Sequence, residues 1–142
     1  MRWRPRGAAA TAALALGGVG AASAAAFLPD VRGYALYHGY AGLQASVAAT
    51  EVPLPTSASR CANCHDARPS AAPRRVVALD RASLTQATPR RGGPASVYDA
   101  AAFCTALRDG LDPSSVLLDR TMPRFVLPDD DCQALWRYVS GR

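Results

Sequence analysis

Residues 61–65 read Cys61-Ala62-Asn63-Cys64-His65. The C-x-x-C-H spacing is the attachment pattern of a c-type haem. Two thiols three positions apart lie on one side of a helical turn, where they match the two vinyl groups of a porphyrin. The adjacent imidazole then falls under the iron and supplies an axial nitrogen. Other readings fit less well. A redox dithiol needs a thioredoxin-like βαβ context, and the flanks show none. A four-cysteine zinc site needs a second close pair, whereas Cys104 and Cys132 stand 28 positions apart. A plain disulfide inside the motif leaves His65 without a role.

Upstream, Met1-Arg2-Trp3-Arg4-Pro5-Arg6 is basic, and the uncharged run from Gly7 to Leu28 ends near Ala22-Ser23-Ala24-Ala25-Ala26. A basic start, an apolar stretch and small residues at the end predict a secretory signal over residues 1–26, cut after Ala24 or Ala26. The alternative is an uncleaved anchor, because 22 uncharged residues can span a bilayer. About half of them are Ala, which is only weakly apolar, so cleavage is the preferred reading. The expected product is a periplasmic domain of residues 27–142, touching a membrane only if the N-terminal segment stays uncleaved.

The full 142 residues suit one domain, and 19% charged with 49% hydrophobic residues excludes both a disordered polymer and a polytopic membrane protein. All 16 basic residues are Arg. Beyond residue 26 there remain 13 Arg and 11 acids, too little net charge for a nucleic-acid binder. Export also implies an oxidising compartment, where free thiols are few. Cys104 and Cys132 fall in helical segments, and a Cys104–Cys132 disulfide is expected. Two separate buried thiols are the alternative.

A six-coordinate haem needs a second axial ligand, usually His or Met. After residue 26 the choice is narrow: His38 and Met122. Met122 lies in Arg120-Thr121-Met122-Pro123-Arg124-Phe125, between helical segments, and Pro123 biases it toward extended backbone. Ligation by Met122 is expected. His38 sits in a short helical candidate from Asp30 to Gly39 and is read as a surface or half-buried residue. Downstream, Ser96-Val97-Tyr98-Asp99 has the form of a capping box opening a helix through Cys104 and Leu107, which Gly110 closes. Asp129, Asp130 and Asp131 crowd the start of a last helix, where Cys132, Leu135, Trp136 and Val139 form one apolar stripe.

In this order the chain resembles class I cytochrome c, over roughly residues 30–142. The resemblance rests on an early helix with Gly33 and Tyr37, the Cys61–His65 motif, the Met122-Pro123 loop, and a terminal helix with Leu135, Trp136 and Tyr138. It implies an all-α fold, a cytochrome c-like helical wrap around one covalently attached haem, with long irregular loops. It also implies His65/Met122 ligation and outer-sphere electron transfer. Two departures stand out. The stretch from Tyr40 to Arg60 is longer than the family's usual link, and no early Gly-Pro follows His65. The resemblance implies a proline carbonyl that accepts a hydrogen bond from the haem His, with Pro69 and Pro73 as candidates.

The segment from Asp66 to Ser96 is rich in Arg and Pro and reads as irregular. Within it Arg90 and Arg91 are expected to contact the haem propionates through forked hydrogen bonds. The glycines of Arg90-Arg91-Gly92-Gly93-Pro94 would let backbone approach the macrocycle. Phe103, Leu107, Leu135 and Trp136 are expected to keep the haem dry. No nucleophile, proton donor or open coordination position stands out, so the chain reads as an electron carrier between redox partner proteins and not as an enzyme. Two alternatives keep the haem: a tightly bound cytochrome subunit of a periplasmic dehydrogenase, docking through residues 40–60, or a haem-based redox or gas sensor. A haem-free, disulfide-stapled binding module is a further rival.

Overall fold

Asp30 begins the first element. Its carboxylate accepts from the Gly33 N–H at 2.8 Å and caps helix α1, Val31–His38. Gly39 ends that helix in the left-handed region, at φ 76°, while the Gly39 and Tyr40 N–H groups close back on the carbonyls of Leu36 and Ala35. A computed structural model gives this detail for residues 30–50, 52–66 and 76–142. The expected signal, residues 1–26, lies outside the described residues, as do Pro69 and Pro73. Among the described residues no helix is long and apolar enough to cross a membrane.

The remaining elements in chain order are β1, Gln44–Ser46, and the single turn α2, Ala62–His65; then α3, Arg81–Thr85, β2, Thr88–Pro89, and β3, Ala95–Ser96; then α4, Ala100–Arg108, β4, Arg124–Val126, and α5, Asp129–Ser140. This overturns the all-α expectation. The fold is mixed, with five short helices and two two-stranded antiparallel sheets among the described residues. In one sheet β1 pairs with β4, Ala45 opposite Phe125; in the other β2 pairs with β3.

The physical reason lies in the long stretch after α1. There Leu43 and Ala45 are buried while Gln44 is exposed, an alternation of period two that helix cannot satisfy. Across the ladder Phe125 is buried and Val126 exposed, so the two inward residues meet on one face. The described part of this stretch, residues 40–50 and 52–60, is thus built into the fold through β1, and Ser46 also bridges to Pro53. The Arg-rich stretch before residue 96, expected to be irregular, contains α3 and the β2–β3 hairpin.

A second correction concerns α4. Its N-cap is Asp99, whose carboxylate accepts from the Ala102 N–H at 2.7 Å, while Ser96 belongs to β3. Aspartate is itself a strong N-cap, so the helix starts three residues later than the capping-box reading places it. The close of α4 agrees with expectation: Gly110 is left-handed at φ 73°. The three aspartates of the last helix also sit in its first turn, as expected.

The core forms where α1 crosses α5 and α4 packs beside them. Leu36, Tyr37, Cys132 and Val139 are fully buried, and Leu135 nearly so. Each large apolar side chain removed from water contributes about 1.5–3 kcal/mol. Gly33 is what lets α1 approach α5, since a Cβ there would lie 2.6 Å from the Tyr138 Cβ. Ion pairs flank the crossing. Arg32 grips Asp131 with two bonds of 2.7 Å, and Arg137 reaches Asp30 at 2.6 Å. The expected disulfide joins Cys104 in α4 to Cys132 in α5, with the Cα atoms 5.9 Å apart.

Candidate functional site

Helix α2 is one turn long, and its shortness serves the motif. The His65 N–H donates to the Cys61 carbonyl at 3.0 Å, so the five motif residues are wound as one helical turn. The Asn63 side chain donates to the Ser57 carbonyl at 2.7 Å and fastens that turn to the preceding loop. Both thiols are free; Cys61 is buried and Cys64 exposed. Burial pushes the Cys61 thiol up to about 12, so it stays protonated at neutral pH.

His65 Nδ1 lies 2.7 Å from the Val77 carbonyl oxygen. A carbonyl can only accept, so Nδ1 carries the proton and Nε2 keeps its lone pair for a metal. Burial holds the imidazole pKa below its ordinary value, outweighing the Val77 bond and the nearby Asp66 carboxylate, which act the other way. The ring is therefore a neutral donor at pH 7. The orienting carbonyl belongs to Val77 and not to a proline.

Cys61, Cys64 and His65 share the wall of a cavity of about 1220 Å³. Met122, 57 positions beyond His65, lines the same cavity from the loop before β4. Ordinary cofactor pockets measure roughly 300–1,000 Å³, so a macrocycle the size of haem has room. Most of the wall is apolar and includes Leu54, Leu79, Leu84, Phe103, Leu107 and Phe125. Buried Asp112 also lines it, and among the described residues its Oδ2 has no hydrogen-bond partner. The donor set, the room and the apolar wall all fit a covalently held haem. Among the described residues, no group of three or more His, Cys, Asp or Glu side chains could hold a metal ion by itself. The Cys104–Cys132 bond also removes both of those cysteines from any zinc set with Cys61 and Cys64.

Other expected site residues sit differently. Arg90 lines the cavity, but its guanidinium is engaged with backbone. Nη1 donates to the carbonyls of Thr88 and Ser96, and Nη2 to those of Ser83 and Gln86. It also lies over the Tyr98 ring, 5.1 Å from the centroid. With four N–H donors so used, Arg90 ties the β2–β3 hairpin to the end of α3 and has no fork left for a propionate. Arg91 is exposed, adopts a positive φ of 50° and lines the cavity. Gly92 and Gly93 are not part of the wall, and no atom approaches the Cβ position of Gly92 within 4 Å. Phe103 and Leu107 face the cavity, whereas Leu135 belongs to the helical core and Trp136 packs on Phe103 at 5.6 Å. His38 is half-buried and outside the wall, with Nε2 3.1 Å from the Tyr138 hydroxyl.

Sequence reasoning missed a network beside the motif. The buried Tyr37 hydroxyl donates to Asp66 Oδ1 at 2.8 Å, and Arg142 Nη2 donates to the same oxygen at 2.8 Å. The Arg142 guanidinium also lies 4.8 Å from the Tyr37 ring centroid. Burial opposes ionisation of Asp66, but Arg142 and Tyr37 together hold its carboxyl below the ordinary range. Burial first, and then the bond to Asp66, push the Tyr37 hydroxyl well above its usual value. These contacts fasten the residue after His65 to α1 and to the segment following α5. The presence of Tyr37 in the early helix was the available signal; its partner could not be read without the fold.

No family, no curated protein and no solved structure matches this chain in comparisons of sequence and fold.

Proposed function

We propose that this chain is a monohaem c-type cytochrome that passes single electrons between redox partner proteins in the periplasm. One observation carries the reading: two free thiols, an imidazole with a fixed tautomer and a thioether line one large apolar cavity. Cys61 and Cys64 would hold the haem covalently, and His65 and Met122 would supply the axial donors. When bound, haem provides a one-electron ferric/ferrous couple.

The chain's own residues set the conditions for that couple. The Val77 carbonyl orients His65 and increases its basicity. Met122 offers a soft thioether, which favours the reduced metal relative to a second imidazole. Phe103, Leu107 and Phe125 line the cavity with apolar surface, which disfavours the extra ferric charge. A wall that already contains a Met supports a six-coordinate carrier over a sensor with a labile position. The Cys104–Cys132 bond suits an oxidising compartment, and the basic, Ala-rich residues 1–26 supply the expected route there.

The test is a visible spectrum of full-length protein produced with haem-attachment machinery. Covalent haem is expected in the reduced bands, together with a weak far-red ferric band from Met–iron ligation. Met122→Ala should abolish the far-red band and leave the haem attached. A colourless product, or free thiols at both motif positions, refutes the reading.

A further inference from the structure

The loop that bears Met122 is held at both of its peptide groups. The Met122 N–H donates to the Asp119 carbonyl at 3.0 Å, a bond local to the loop. The Met122 carbonyl accepts from Arg124 Nη1 at 2.6 Å, and the Pro123 carbonyl lies 3.4 Å from the same nitrogen. Arg124 is half-buried and is not part of the cavity wall, so it works from behind the loop.

The guanidinium rests on Gly110, the residue that ends α4. A Cβ at Gly110 would overlap the Arg124 Nε and Cζ atoms. The Gly110 carbonyl also accepts from the Leu118 N–H at 2.7 Å, so one residue serves as floor to both ends of the loop. Gly110 meets two demands that other residues cannot meet together: a left-handed backbone at φ 73°, and no side chain where the guanidinium lies.

We infer that Arg124, seated on Gly110, is a positioning residue for Met122: it fixes the main chain that presents the thioether and so governs how firmly the sulfur stays on the iron. The inference rests on the haem reading above. A thioether is neutral and easily displaced, so its retention depends on how well the backbone holds it in place. A charge-assisted hydrogen bond to the ligand's own carbonyl acts at the shortest covalent distance from that side chain. Lysine would keep the charge but lose the flat guanidinium that lies on Gly110 and sets the position of Nη1 at the Met122 carbonyl.

The experiment uses the full chain matured with haem and oxidised, titrated with free imidazole, which competes with Met122 for the iron. In Arg124→Leu the far-red band should weaken and imidazole should bind at least about tenfold tighter, equivalent to about 1.4 kcal/mol. Gly110→Ala should act in the same direction although Arg124 is retained, and Arg124→Lys should fall between parent and Arg124→Leu. Gly33→Ala, which loosens the α1–α5 crossing away from this loop, serves as a control for global softening and should leave the imidazole affinity within about twofold. If Arg124→Leu does not accumulate, Gly110→Ala and Arg124→Lys are judged by the same criteria. Parental band and affinity in the loop variants overturns the inference, as does an equal change in Gly33→Ala. A parent that lacks covalent haem or the far-red band refutes the haem reading instead.

Discussion

Replacing Gly33 by Ala separates two opposite expectations by sign. In an isolated helix the change is favourable by about 1 kcal/mol, because Gly is the poorer helix former. Here the added Cβ would stand 2.6 Å from the Tyr138 Cβ and 2.8 Å from the Ala134 carbonyl carbon. Carbon atoms rest at about 3.5–4.0 Å, so α1 must retreat from α5 by about 1 Å. Backbone atoms of α5 cannot rotate out of the way as a side chain could. Overpacking of this kind costs about 1–3 kcal/mol, and the upper end applies where backbone is struck. The movement also strains both flanking ion pairs, Arg32–Asp131 and Arg137–Asp30. After the propensity gain is subtracted, Gly33→Ala should destabilise by about 2 kcal/mol, or about 7–8 °C in Tm for a domain of this size. Urea unfolding followed by far-ultraviolet circular dichroism measures it directly. A variant as stable as the parent, or more stable, would show that the crossing is not as close as described.

Removing the disulfide by replacing Cys104 and Cys132 with Ala together should cost about 3.6 kcal/mol, taking a closed loop of 28 residues in the chain-entropy relation; an unchanged urea midpoint would contradict this. Acid should destabilise the fold. Asp30 and Asp131 both have carboxyl groups held below the ordinary 3.8 in the folded state. For Asp30 burial opposes this but is outweighed by the Gly33 N–H and by Arg137; for Asp131 the bonds from Arg32 dominate. A depressed folded-state pKa contributes stability that is complete well above 3.8 and is lost as pH falls through the folded value. The urea midpoint of the haem-free chain should therefore fall in two stages, first below about pH 6.5, where the unfolded imidazole takes a proton that buried His65 resists, and again below about pH 4 as these carboxylates are protonated. Charge-neutral variants Asp30→Asn and Asp131→Asn should show a shallower second fall, and an equal one would reject these two groups as its source.

How much of this is legible in advance depends on the range of the interaction. The motif at residues 61–65 is legible because its chemistry is written in side-chain types at fixed local spacing. The disulfide is legible because the compartment argument leaves Cys104 and Cys132 with few other fates. The strands are not. β1 and β4 are three residues each and pair across more than half the chain, so neither carries enough periodicity to declare itself. The α4 start is misplaced from sequence because Ser96 and Asp99 are both good caps, and only the hairpin's claim on Ser96 decides between them. Arg90 reads as a propionate contact on charge alone, whereas in the fold it serves backbone carbonyls of its own hairpin and of the end of α3. Val77 has no signal at all, because a backbone carbonyl is offered by every residue. Met122 is correctly read as lying outside a helix, but nothing local gives a role to the guanidinium two positions later.

The bond between Cys104 and Cys132 makes the intervening stretch, including Met122 and Arg124, a covalently closed ring. Scission of any one peptide link inside that ring would leave a molecule that migrates as a single species until it is reduced. A nicked form would keep both flanking helices tethered and its thioether within reach of the cavity. Damage to this part of the protein would therefore escape any measurement of size made without a reductant.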